Sequence, residues 1–197
     1  MNEKILNRTW TLGDYLIWEK DSPDAKPGGI NPNGRWEFDG VRPRAMPETT
    51  QGRNMIRINL QAALKAMLRG GRCRAHGPNL MVITAVGTAR FPDVVIDCGA
   101  RDLLARHART PSAVIEILSK ETTAFEFIER FHEYDRTRDI RDYAVINLDR
   151  VQVVVWMRDG YGRLVRSAQH TSLGESFSLM TGVSVSLQTL YEGTGLA

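Results

Sequence analysis

Two short apolar runs constrain this chain more than any other feature: Phe91-Pro92-Asp93-Val94-Val95-Ile96-Asp97-Cys98 and Ser112-Ala113-Val114-Ile115-Glu116-Ile117-Leu118-Ser119. Both are rich in β-branched residues and have the length of a strand buried on both faces. Each also carries a carboxylate, Asp93 at the start of the first and Glu116 inside the second. A carboxylate in an apolar strand is costly unless something pairs with it, and a divalent cation is one efficient partner. If the two runs are neighbouring strands, Asp93 and Glu116 come side by side across 23 positions of sequence (116 − 93). A plainer reading stays open for each acid. Asp after Pro can open a strand by bonding a nearby N–H, and a strand Glu can face solvent or an Arg.

At 197 residues, with 42% hydrophobic and 25% charged positions, the chain is expected to form one domain over 1–197 with a core of its own. A net charge of +3 permits a nucleic-acid partner without requiring one. The densest basic stretch is 69–74 (RGGRCR), with Arg101, Arg106 and Arg109 beyond it. These are expected on a solvated face unless the fold gathers them around the acids. Cys73 and Cys98 are too few for a disulfide framework or a zinc site, and reduced thiols are expected. The opening Met1, Asn2, Glu3 and Lys4 lack the apolar core of a signal peptide, and no apolar run approaches membrane-spanning length. A cytoplasmic protein is expected.

Along the chain, 11–19 reads as a short capped helix and 20–34, rich in Pro, Gly, Asn and Asp, as a flexible loop. Residues 35–44 alternate about Asp39-Gly40, which predicts a hairpin with Glu37 on its first strand. Apolar residues at Ile56, Leu60, Ala63, Leu64, Met67 and Leu68 predict a helix over 51–69, stopped by Gly70-Gly71. Strands are expected at 79–86 and 91–98, joined by a turn at Gly87, and at 114–118. A second amphipathic helix follows over 123–137, with Phe125, Ile128, Phe131 and Tyr134 on one side. Strands at 143–147, 151–158 and 163–168 come next, then one or two short strands and a helical turn near 187–191. The order predicts an α/β (α+β) fold, a mixed sheet flanked by helices. His76, His107, His132 and His170 show no metal-ligand spacing, and Trp10, Trp18, Trp36 and Trp156 read as core or rim residues.

Taken together, Tyr15-Leu16, Trp36-Glu37-Phe38-Asp39-Gly40, Asn59-Leu60, Phe91-Pro92-Asp93-Val94-Val95, Ile115-Glu116-Ile117-Leu118-Ser119, Tyr134 and Asp142-Tyr143 resemble the Uma2 family. These are bacterial restriction-endonuclease-like proteins with the PD-(D/E)XK nuclease fold, and the similarity spans roughly 10–160. The resemblance implies a Mg²⁺- or Mn²⁺-dependent endonuclease acting on DNA. It assigns metal binding to Asp93, Glu116, Glu37 and the backbone carbonyl of Ile117. Hydrolysis of both strands of a duplex by one site per chain would favour a homodimer.

The chain departs from the family pattern at the cation. Leu118 stands where the motif has Lys, and Arg130 stands where a Lys on the following helix can substitute. Glu126 replaces an Asp one turn earlier, and Arg53 replaces a His before the long helix. Lys120 is another candidate for the positive charge. Arg does not deprotonate in proteins, so Arg130 can hold phosphate or stabilise charge but cannot act as a base. Glu126 and Arg130 also read as an ordinary surface pair at i,i+4. The alternative function is therefore a nuclease-fold protein without catalysis, serving as a nucleic-acid-binding or protein-interaction module.

Overall fold

A computed structural model describes residues 8–120 and 122–197. The opening residues 1–4 read above lie outside them. Helix α1 (Leu12–Asp21) begins with a capping box in which Thr11 and Asp14 bond each other's backbone N–H. The expected hairpin is present as β1 (Trp36–Phe38) and β2 (Pro43–Ala45), paired antiparallel around the Asp39-Gly40 turn. Gly40 takes a φ of 90°, which the missing Cβ allows. Between α1 and β1 the loop carries a 3₁₀ turn at Pro23–Ala25, and Asn31 and Asn33 tie it to the Arg35 and Met46 carbonyls.

Helix α2 (Gln51–Met67) follows the predicted apolar stripe and buries Ile56, Leu60 and Leu64. Four strands come next: β3 (Arg74–His76), β4 (Val82–Ile83), β5 (Ala89–Arg90) and β6 (Val94–Asp97). The strands expected at 79–86 and 91–98 form only as the shorter β4 and β6, and the Gly87 turn joins β4 to β5 rather than to β6. Val82 pairs with Arg90 around Gly87, and β4 and β5 join the hairpin in a sheet of order β2-β1-β5-β4. Pro92 separates that sheet from β6, since it has no N–H to continue a ladder.

The main sheet is completed by β7 (Pro111–Leu118), helix α3 (Ala124–Arg136), β8 (Asp142–Asn147), β9 (Val153–Arg158) and β10 (Leu164–His170). Its order is β10-β9-β8-β7-β6-β3, antiparallel except for the β7–β8 pair. That parallel pair is connected through α3, as a parallel crossover requires. A small pair, β11 (Ser176–Ser178) with β12 (Ser184–Ser186), and a last turn α4 (Leu187–Leu190) close the chain. The mixed, helix-flanked sheet is the expected architecture.

Period-2 alternation sorts the main sheet's faces. Val94, Ile96, Ala113, Ile115 and Ile117 pack with α2 and with Phe177, Val185 and Tyr191. Val95 and Val114 face the other way, toward Tyr134 of α3, Tyr143 and Trp156. A separate core joins α1 to the smaller sheet, with Tyr15 stacked on Phe38 and donating its hydroxyl to the Trp36 carbonyl at 2.9 Å. Trp10, Trp18 and Trp36 pack edge to face there, so the tryptophans are core residues as expected.

Two further expectations are corrected. The apolar side of α3 is Phe127, Phe131 and Tyr134, whereas Phe125 and Ile128 are 73% and 50% exposed. The helix is turned because the charged side chains of Glu133 and Arg130 face the interior, and the apolar stripe shifts around to suit. Cys73 and Cys98, expected as reduced thiols, are joined in a disulfide. They are the next residues past Arg74 and Asp97, which pair across β3 and β6, so the ladder itself brings them together.

Candidate functional site

Val94 pairs with Ile115 across the β6–β7 ladder, so Asp93, one residue before β6, falls opposite Glu116. The alternation that puts Val95 and Val114 toward α3 puts both carboxylates on the same side. Asp93 Oδ2 accepts the backbone N–H of Ile117 at 2.8 Å. In an extended strand a residue's N–H and C=O point the same way within the plane of the sheet, so the Ile117 carbonyl is directed toward β6, as its N–H is. Glu37 arrives from the other sheet: its Oε1 accepts the N–H of Phe91 at 3.0 Å, which ties β1 to the segment carrying Asp93.

These acids border a cleft of about 440 Å³ between the smaller sheet, the start of α2 and the first turns of α3. Arg130 enters it from α3. Its Nη1 lies 3.2 Å from both Glu116 Oε1 and Glu37 Oε1, and its Nη2 2.8 Å from Glu37 Oε2. The Glu126–Arg130 surface pair is thus not what Arg130 makes; Glu126 instead serves the α3 capping box with Thr123. Lys120 is exposed and its side chain does not line the cleft. Of the expected site residues, then, Glu37, Asp93, Glu116 and Arg130 come together, with Ile117 against Asp93, and Lys120 stays outside.

Three further arginines complete the arrangement: Arg53, read from the sequence only as the replacement of a His, and Arg57 and Arg90, which sequence reasoning missed. Arg53 forks onto Asp93, with Nη2 2.7 Å from Oδ2 and Nε 3.0 Å from Oδ1. Arg57, one helical turn on, places Nη2 2.6 Å from Asp93 Oδ1. Arg90 is buried and grips Glu133 of α3 through Nε at 2.7 Å and Nη2 at 2.6 Å, while its Nη1 is 3.3 Å from Glu37. The spacing of Arg53 and Arg57 at i and i+4 was the available signal that both face one way. The basic stretch at 69–74 and Arg101, Arg106 and Arg109 do not line the cleft; Arg106 pairs instead with Glu19.

The three acids are buried but not equally neutralised. Burial works to raise Glu37, yet Arg130 and Arg90 beside it hold its carboxyl below the ordinary value. Asp93 is likewise held low against burial, by Arg53 and Arg57 and by the Ile117 N–H. Glu116 goes the other way. Burial pushes it up, the Asp93 and Glu37 carboxylates add to this, and Arg130 offsets only part. Its Oε1 takes both Arg130 and the Tyr134 hydroxyl, at 2.9 Å, and its Oε2 accepts no hydrogen bond from the described residues.

The donor set suits a hard divalent cation: oxygen ligands only, carboxylates with a carbonyl beside them. Glu116, short of positive charge and with one oxygen open, is the group a cation would relieve. Guanidiniums hold the other oxygens, and among the described residues no three acid, histidine or cysteine side chains are grouped for a metal as they stand. A cation at these carboxylates would therefore compete with the arginines that hold them.

The family model described as "Putative restriction endonuclease", Uma2, matches residues 13–190. An uncharacterized protein of Synechocystis sp. is 27% identical over 184 residues, covering 91% of this chain and 90% of the relative. Among solved structures, a "putative nuclease belonging to DUF820" from Anabaena variabilis superposes with a TM-score of 0.70 at 15% identity. It covers 94% of this chain and 99% of that one, which establishes a shared fold. Among the described residues no helix is long and apolar enough to cross a membrane. With the family match extending over nearly the whole length, and with the fold of a solved relative, the chain belongs to the Uma2 family.

Proposed function

We propose that the protein is a divalent-metal-dependent endonuclease that hydrolyses phosphodiester bonds in DNA, working as a single nuclease-like domain and as a homodimer. What supports this reading is the convergence of Glu37, Asp93 and Glu116 from separate elements into one arginine-lined cleft, with Glu116 left under-neutralised. Asp93, Glu116 and Glu37, with the Ile117 carbonyl, would hold Mg²⁺ or Mn²⁺. Held by those residues, such an ion would supply Lewis-acid polarisation of the scissile phosphate and a lowered pKa for an attacking water.

The chain's own residues do the rest. Arg130 is held permanently charged by Glu37 and Glu116, which outweigh the effect of its burial, so it supplies fixed positive charge and no proton transfer. Held in place by Glu37 and Glu116, its charge would act on the phosphate oxygens and on the charge that grows on them in the transition state. Tyr134 keeps Glu116 oriented through its hydroxyl. Arg90 positions Glu37 and α3 against each other at the wall of the cleft.

A second reading has one observation in its favour: both Asp93 oxygens are already taken by arginines and a backbone N–H. On that reading the chain binds nucleic acid through its arginines and cleaves nothing. Incubation of supercoiled plasmid with purified protein and Mn²⁺ tests the choice. Nicking by the wild type and none by Glu116→Gln supports the nuclease. Binding without nicking, unchanged by chelator, supports the alternative.

A further inference from the structure

We infer that Arg53 is a latch on Asp93, holding the carboxylate in the cation's stead and releasing it when a phosphate enters the cleft. Cation and phosphate binding are then positively coupled through one side chain. This rests on the metal-site reading above and adds to it.

The contacts on Asp93 divide into a fixed set and a movable one. Arg57 is buried, 8% exposed at its side chain, and holds Oδ1; the Ile117 N–H holds Oδ2 from the strand. Both orient the carboxylate without help from Arg53. Arg53 comes from the first turn of α2, where its backbone N–H is capped by Thr50 Oγ1. It is 28% exposed and lines the cleft, so its guanidinium has solvent and ligand space to move into. Removing it leaves Asp93 still aimed, with Oδ2 accepting only one hydrogen bond from the remaining partners.

Phosphate is the ligand able to draw Arg53 off. A guanidinium fork matches phosphate as well as it matches carboxylate, so the exchange keeps its paired hydrogen bonds. Arg130 is less free to do the same, because it bridges two buried acids at once and leaving would strand both. Linkage makes the effect reciprocal: whatever factor phosphate adds to cation affinity, the cation adds to phosphate affinity. An empty cleft therefore holds its cation weakly, and a loaded one holds it well.

The test measures Mn²⁺ affinity on the intact protein by the free-ion electron paramagnetic resonance signal, with and without a phosphorothioate-linked dinucleotide as the probe. Arg53→Gln and Arg53→Lys are compared with wild type, with Arg44→Ala, which removes a charge paired to Asp39 at the cleft rim, and with Asp93→Asn. Without the dinucleotide, Arg53→Gln is expected to bind Mn²⁺ about tenfold more tightly than wild type, within the range of ordinary coupling. The dinucleotide is expected to raise wild-type affinity by a similar factor and to change Arg53→Gln much less. Arg53→Lys, which keeps the charge but loses the fork, should resemble Arg53→Gln, and Arg44→Ala should resemble wild type. Equal tightening in Arg44→Ala and Arg53→Gln would reduce the effect to net charge and overturn the latch. So would Asp93-dependent Mn²⁺ binding that Arg53 substitutions leave unchanged, and the metal site would then stand. No Asp93-dependent binding in any variant would remove the metal site and the latch with it.

Discussion

Asp93 and Glu116 face each other across the β6–β7 ladder, and the protein drives their carboxyls in opposite directions. Arg53, Arg57 and a backbone N–H overcome burial at Asp93. Burial and two neighbouring carboxylates prevail at Glu116. The pair thus joins an acid that supports the fold to one that costs it stability.

That asymmetry predicts opposite responses to neutralisation. Asp93 is depressed in the folded state, so its contribution is present above its unfolded value and is lost as pH falls through the folded one. Glu116 is raised, so stability falls as pH climbs from its unfolded value, about 4.3, through its folded one. Glu116→Gln should therefore raise the melting temperature at pH 7 by a few degrees, and the gain should vanish near pH 4. Asp93→Asn should lower it at pH 7, by roughly 3 kcal/mol or more, since Arg57 is left buried beside a neutral partner. Melting curves of both variants across pH check the signs.

Arg90 should behave as a buried clamp. It is almost fully covered and joins β5 to Glu133 of α3 and to Glu37 of β1. Arg90→Ala should cost on the order of 3–5 kcal/mol, because it strands two buried carboxylates. Arg90→Met combined with Glu133→Leu should recover much of that loss. A double-mutant cycle by urea unfolding would give the coupling.

The Cys73–Cys98 bond closes a loop of sequence separation 25. Chain-entropy reasoning gives such a crosslink about 3–4 kcal/mol. Alkylation in denaturant without reductant should find both thiols blocked, and reductant should lower the melting temperature. Two free thiols under those conditions would restore the reduced pair expected from composition.

Much of this was legible in the sequence, for identifiable reasons. The opposed acids could be read because β-branched runs buried on both faces tolerate few alternatives, and Asp39-Gly40 and Gly87 fixed their turns. The orientation of α3 could not. Phe125, Ile128, Phe131 and Tyr134 sit at helical spacing, but so do Phe127, Phe131 and Tyr134, and periodicity alone does not choose between overlapping stripes. The choice is made by Arg130 and Glu133 reaching inward to Glu37 and Arg90, partners 93 and 43 residues away. Arg57 and Arg90 were missed for the same reason: an arginine in a helix or beside a strand reads as surface until its distant carboxylate is known.

Arg130 is the cleft arginine that bridges Glu37 and Glu116. Arg130→Ala should cut Mn²⁺-dependent cleavage by about 10²–10³, the scale seen when one transition-state donor is lost. Arg130→Lys should retain part of the rate, since a point charge remains without the fork to Glu37 and Glu116. Initial rates on plasmid, with melting temperatures alongside, separate lost chemistry from lost fold.

The most direct measurement is cleavage of supercoiled plasmid by purified wild type and Glu116→Gln in Mn²⁺, each repeated with excess chelator. A metal centre predicts nicking by the wild type, abolished by chelator and absent in Glu116→Gln, although that variant is expected to be the more stable protein. Nicking that survives chelator, or persists in Glu116→Gln, would contradict it.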